Sequence, residues 1–205
     1  MLFPEIQRHV EVAMKAFNRI DKERKFMLKK LSEEIRLEAA NHQPLHLQFI
    51  CTHNSRRSQL AQLAGNVAAE YYGIKFVYFH SGGTEVTALH PNAVKAIQRM
   101  GMRISELQND VANPRYVIHV GLDSSDNYFS KLYDESIEDG KQFLAVMTCN
   151  EADANCPIVR GALKKIALPY EDPKASDGTD MEIETYDRTL LLIMTELLYT
   201  FSLLQ

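Results

Sequence analysis

Leu45-His46-Leu47-Gln48-Phe49-Ile50-Cys51-Thr52-His53-Asn54-Ser55-Arg56-Arg57-Ser58-Gln59 is the stretch on which the reading of this chain turns. Leu45 to Ile50 is a short apolar run of strand length. From Gln59 to Tyr72 the apolar residues Leu60, Leu63, Ala64, Val67 and Ala68 fall at helical spacing, and Gly73 stops that helix. A strand feeding a helix through a tight polar loop opens a parallel α/β unit. In such sheets ligands bind beyond the carboxyl ends of the strands, near the point where strand order reverses. Cys51 stands at a strand end of this kind.

Outward from that unit the alternation continues. Ile74 to Phe79 reads as a second strand, Ser81-Gly82-Gly83 as a turn and Pro91 to Met100 as a helix, with Pro91 suited to a first turn. Phe143 to Thr148 is a third buried strand and Lys165 to Leu168 a short fourth. Glu182 to Leu204 is a long apolar closing helix. Strands separated by helices predict a parallel sheet covered on both faces. Asn113 to Gly140 breaks the pattern and reads as an inserted hairpin: strand at Tyr116–Val120, turn at Asp123–Asn127, return strand at Tyr128–Tyr133. Pro4 to Ala40 reads as a helical hairpin, with Ile6, Val10, Ala13, Met14 and Phe17 on one stripe, Asp21 as a cap, and Leu28, Leu31 and Ile35 on a second apolar face. The division expected is an N-terminal helical extension at 1–44 packed on the core and a catalytic domain at 45–205 carrying the 113–140 insertion.

The 205 residues suit one elaborated domain, and an apolar share of 45% supplies a core without disulfides. Three cysteines argue against a secreted disulfide framework. The amino terminus lacks a signal pattern, and Thr189 to Leu204 is interrupted by Glu196 and short for a bilayer. A cytoplasmic setting with no membrane partner follows as the expectation. A net charge of −4 offers no field for nucleic acid, so an anion must be held by local donors. A homo-oligomer stays open.

Those donors are in the opening stretch. The first amides of a helix carry partial positive charge, and successive amides of a wrapped loop form an anion nest. Arg57 adds a bidentate fork for a tetrahedral oxyanion. With a hydrogen bond from Ser58, that environment favours the thiolate of Cys51, poised for in-line attack. The bland alternative is an inert buried thiol beside surface arginines; the joint spacing of cysteine, arginine and serine at a strand-to-helix turn speaks against it.

Ile50-Cys51-Thr52-His53-Asn54-Ser55-Arg56-Arg57-Ser58-Gln59 resembles the active-site loop of low-molecular-weight protein tyrosine phosphatases and the related arsenate reductases. The resemblance implies a Rossmann-like three-layer sandwich with a four-stranded parallel sheet. It implies Cys51 as nucleophile, Arg57 as oxyanion clamp, Ser58 as thiolate stabiliser and Asn54 as loop organiser, with Thr52, His53, Ser55 and Arg56 completing the oxyanion loop. His53 stands where the family usually has glycine, which suggests a backbone position favouring φ > 0; the alternatives are a side chain that bonds the substrate or, more commonly, one that faces solvent. The family's general acid, an aspartate before proline, maps onto Asp172 of Glu171-Asp172-Pro173; Glu171 is the neighbouring candidate, and a mere Asp-Pro turn is the alternative. Lys174 and Ala175 follow where phosphatases have an aromatic wall.

Cys149 ends the third strand and Cys156 follows seven residues later. Parallel neighbours lie about 4.8 Å apart, so Cys51 and Cys149 can meet if the first and third strands are adjacent. Seven residues of intact helix rise about 10 Å, so Cys149 and Cys156 bond only if the segment between them loops out. Incidental thiols and a zinc site are the competing readings, the second disfavoured by spacing. The segment resembles the redox segment of thioredoxin-coupled arsenate reductases. It implies a relay: Cys51 attacks arsenate, Cys149 attacks Cys51, Cys156 attacks Cys149, and thioredoxin reduces the product. Some such enzymes bind potassium beside the loop; Asn54 and Ser81 match that pattern, while Gln62 stands where an acidic residue is expected. No other cofactor is implied. Two further readings remain: a phosphomonoesterase using Cys51, Arg57 and Asp172 alone, and a non-catalytic redox sensor or anion-binding module.

Overall fold

The structure is a computed structural model that describes residues 1–41, 44–108, 112–138, 140–156 and 158–205. Two helices, α1 (Pro4–Lys15) and α2 (Lys22–Asn41), precede β1 (Leu45–Cys51), α3 (Arg57–Tyr72), β2 (Val77–Gly83) and α4 (Pro91–Arg99). Then come β3 (Arg103–Gln108), β4 (Arg115–Gly121), β5 (Ser124–Tyr128), β6 (Phe143–Met147), α5 (Asn150–Asn155), β7 (Ala162–Ala167) and α6 (Glu182–Ser202). Strands β2-β1-β6-β7 form one parallel sheet with helices on its faces. The α/β fold class with a four-stranded parallel sheet stands as expected.

The strand order places the switch point between β1 and β6, because the chain first moves from β1 to β2 and later returns to the other side of β1. All seven residues of β1 are buried, as a central strand requires. Phe49 and Phe79 stack between β1 and β2, and Phe201 of α6 closes on Phe79. The α1 stripe buries Ile6, Val10 and Ala13, and α2 buries Leu28, Leu31 and Ile35, in the same apolar cluster as β1 and α6. At about 1.5–3 kcal/mol per large apolar side chain, this burial holds the helical hairpin on the core. Asp21 caps α2 as expected, its carboxylate accepting from Arg24 N at 2.8 Å. Residues 42 and 43 of the expected break lie outside the described residues.

Three expectations change. Ser81-Gly82-Gly83 is not a turn but the end of β2, opposite Phe49, Ile50 and Cys51. The glycines permit close packing: a Cβ on Gly82 would run into the Tyr133 backbone, and one on Gly83 would lie 2.7 Å from the Thr52 carbonyl. Second, the return strand of the hairpin is Ser124–Tyr128, so the turn falls at Leu122-Asp123. Third, β3 adds an antiparallel strand ahead of the hairpin, giving a sheet of order β3-β4-β5. Most of β5 is polar, so it carries no alternation to read; backbone pairing and buried Tyr128 hold it.

Candidate functional site

Cys51 is the last residue of β1, 4% exposed, with Sγ 3.1 Å from Ser58 Oγ at the start of α3. Asn54 Nδ2 donates to the same Ser58 oxygen at 2.8 Å. That occupies an acceptor site on Ser58 and leaves its single hydroxyl hydrogen for the sulfur. The loop between is turned inside out. The Cys51 carbonyl accepts from Thr84 N, Thr52 from Glu85 N, and Ser55 from His90 N. His53 O accepts from Thr87 and Ser130 hydroxyls, and Asn54 O from Gln59 Nε2. With five consecutive carbonyls facing outward, the concave side is left to N–H groups, the polarity an oxyanion needs. Thr87, Ser130 and Gln59 are struts that no local pattern announces, because their partners lie across the fold or one turn away.

The left-handed residue of the loop is Asn54, at φ 45°, rather than His53. Asparagine tolerates this conformation when its side chain is tied down, and Asn54 Oδ1 accepts from Lys131 N at 3.0 Å. The His53 ring instead faces Glu85 at 3.4 Å.

Arg57 opens α3. Its Nη1 donates to the Tyr170 carbonyl at 3.1 Å and its Nη2 to Asp172 Oδ2 at 2.7 Å, while Nε is buried without a hydrogen-bond partner. Arg56 Nε reaches Asp172 Oδ1 at 2.8 Å. Burial alone would raise the Asp172 pKa, but the Lys174 N–H and both guanidiniums outweigh it and hold the carboxyl below its usual range. Glu171 lines the cleft without reaching either arginine in this way. A cavity of about 770 Å³ opens over the loop between His53, Arg56 and Arg57 on one side, Asn150 and Glu151 on another, and Pro169–Asp172 with Lys174 and Ala175 on the third.

Because Ile50 pairs with Met147, Cys51 and Cys149 leave neighbouring strand ends. They share a buried cluster with Ile50, Met147 and Val159, against which Cys156 packs. Cys149 caps α5, its Sγ accepting from Ala152 N at 3.4 Å, and Thr52 Oγ1 lies 3.6 Å away. Cys156 is the residue after α5, and its N–H bonds to the Ala152 carbonyl. All three cysteines are free thiols, and the helix between Cys149 and Cys156 is intact.

The potassium candidates are engaged with protein. Ser81 Oγ donates to Gln62 Oε1 at 2.6 Å, and Gln62 Nε2 donates to Asp126 at 2.7 Å. Asn54 is bound at both ends of its amide, as above. The local cation is the Lys131 ammonium, whose pKa burial pulls down to about 8 against the attraction of Asp126.

No family model matches the chain. Among curated proteins it is 29% identical over 136 residues to Arsenate reductase 1 of Staphylococcus epidermidis, covering 66% of this chain and 83% of that protein. The arsenate reductase of Bacillus subtilis is likewise 29% identical over 136 residues, covering 66% and 79%. Both likenesses are to proteins named as arsenate reductases. A solved structure of a YwlE mutant from Bacillus subtilis shares the fold. It superposes at a TM-score of 0.50 and 16% identity over 78% of this chain and 98% of that one. Among the described residues no helix is long and apolar enough to cross a membrane.

Proposed function

We propose that the chain reduces arsenate to arsenite through Cys51, Cys149 and Cys156. The observation that carries this reading is the convergence of the Cys51 and Cys149 strand ends in one buried cluster, with Cys156 at the far end of a single short helix. The arsenate reductase names of the curated relatives support it.

The oxyanion enters the Cys51–Ser58 loop and takes the unpartnered Arg57 Nε, exchanging with Asp172 at the guanidinium. Displaced from Arg57 by the oxyanion, Asp172 takes a proton from the incoming hydrogen arsenate and passes it to the hydroxyl that leaves as water while the Cys51 thiolate forms the S–As bond. Cys149 thiolate then attacks the Cys51 sulfur. An S–S bond forms, the S–As pair passes to arsenic, As(V) becomes As(III), and arsenite departs. Cys156 thiolate next attacks Cys149, releasing Cys51 as thiolate. A dithiol protein of thioredoxin type returns two electrons and two protons to the Cys149–Cys156 bond.

A phosphomonoesterase would need only Cys51, Arg57 and Asp172, and leaves the buried Cys149 and its short helix without a task. A single anaerobic turnover with arsenate, followed by mass mapping, is expected to yield the Cys149–Cys156 bond and stoichiometric arsenite. Arg57→Lys, which loses the fork, is expected to lower kcat/KM about 100–1,000-fold. A turnover that leaves all three thiols free, or an unsubstituted chain that hydrolyses p-nitrophenyl phosphate while forming no arsenite, overturns the reading.

A further inference from the structure

Lys165 of β7 points at the short helix between the two outer cysteines. Its ammonium donates to the Asp153 carbonyl at 2.9 Å and to the Cys156 carbonyl at 3.1 Å, and it pairs with the Asp153 carboxylate at 2.9 Å. Carbonyls in the last turn of a helix have no partner within it, and a cation there also meets the negative end of the helix dipole. Cys156 N–H closes the helix on Ala152 O. Lys165 therefore ties down the segment that must unwind before Cys149 and Cys156 can touch. A helix of this length keeps its flanking residues about 10 Å apart, whereas disulfide Cα atoms lie about 4.4–6.8 Å apart. Its sequence neighbour Lys164 bonds Glu34 of α2 on the other side of the strand, so β7 is anchored to the N-terminal hairpin and does not follow the helix when it moves.

We propose that Lys165 is a positioning residue that latches α5 in the dithiol form and so sets the reduction potential of the Cys149–Cys156 pair. The inference rests on the relay proposed above. The latch contacts belong to the helical dithiol state and are broken in the disulfide state. Removing them must favour oxidation: two thiols lose two electrons and two protons to oxidised dithiothreitol, and the S–S bond forms more readily. Loss of the latch thus makes the potential more negative, and the relay would form its final bond faster but return it to reductant less readily.

The test uses the full chain with Cys51→Ser, so that only Cys149 and Cys156 exchange, equilibrated in dithiothreitol buffers of graded composition and read by mass mapping. Lys165→Met and Lys165→Gln are each expected to raise the equilibrium constant for forming the bond about tenfold, a shift of about −30 mV. Lys165→Arg is expected to stay within about twofold of lysine. Hydrogen exchange at residues 150–155 of the reduced protein is expected to quicken in the Met and Gln variants only. Equal equilibrium constants in all four proteins would overturn the latch while leaving the relay standing. Absence of a Cys149–Cys156 bond in every protein would overturn the relay itself, and the latch with it.

Discussion

His80 shows how a residue outside the chemistry sets the pH range of the fold. Its Nε2 lies 2.8 Å from His46 Nδ1, a contact in which one nitrogen must donate and the other accept, so at least one ring is neutral. Burial, then the charges of His46, Lys131 and Lys141, bring the His80 pKa down to about 4. Burial also lowers that of His46. Above about pH 6.5 both folded and unfolded chains carry neutral rings and the pair has no linkage cost. Between pH 6.5 and 4 the unfolded chain binds protons that the folded chain refuses, so stability falls as pH falls. Urea titrations are expected to lose about 3 kcal/mol from His80 over that window, and His80→Gln should flatten the slope; an unchanged slope would refute the assignment. In the sequence His46 and His80 are unremarkable members of two apolar strands. Only the parallel register that sets His46 beside Tyr78 and brings His80 alongside creates the pair. The loop residues were more legible: the Cys51–Ser58 and Asn54–Ser58 contacts form between residues a few positions apart, as their spacing suggested. The left-handed position suggested at His53 falls at Asn54, since which loop residue turns that way depends on Lys131 reaching Asn54 from another part of the chain.

Among the elements, β2 teaches most. A serine and two glycines after a strand suggest a turn on local propensity, yet they complete the strand because the backbones of Tyr133 and Thr52 press against it. Gly82→Ala is therefore expected to destabilise the fold by about 1–3 kcal/mol, the cost of overpacking, even though alanine is the better residue in most contexts. Thermal melting would show it as a lowered Tm, and a neutral or stabilising result would mean the approach is relieved by strand movement. The helices were the easiest elements to read, since α1, α2, α3 and α6 carry their own period and their stops. Strand β5 was the hardest, because Ser124-Ser125-Asp126-Asn127 offers no apolar face and its pairing with β4 is decided by the backbone.

For the molecule as a whole, the N-terminal hairpin is wired to the segment that holds Arg57. Arg24 of α2 forms a two-pronged pair with Glu196 of α6, at 2.8 and 2.7 Å, with both side chains largely buried. The same guanidinium lies 4.7 Å over the ring of Tyr170, whose carbonyl holds Arg57. Arg24→Met leaves Glu196 buried without its partner and is expected to cost about 3–5 kcal/mol. It should also raise the KM for arsenate, as Tyr170 and Arg57 lose their common support. Steady-state kinetics well below the Tm of the variant separates the two effects; an unchanged KM would confine Arg24 to stability.

Sequence alone determined the Cys51–Ser58 loop between strand and helix, the parallel α/β class, the acidic Asp-Pro segment and the presence of two further cysteines at helix-incompatible spacing. These are local facts, carried by period, by turn chemistry and by residues a few positions apart. Tertiary structure decided which strands are neighbours, and so that Cys51 and Cys149 converge. It also decided that Asp172 meets two arginines, that Arg24 lies over the ring of Tyr170, 146 positions further along, and that Lys165 grips the helix between Cys149 and Cys156. Each of these depends on the order in which strands pack, a choice made by burial of the whole core and invisible to any one segment of the chain.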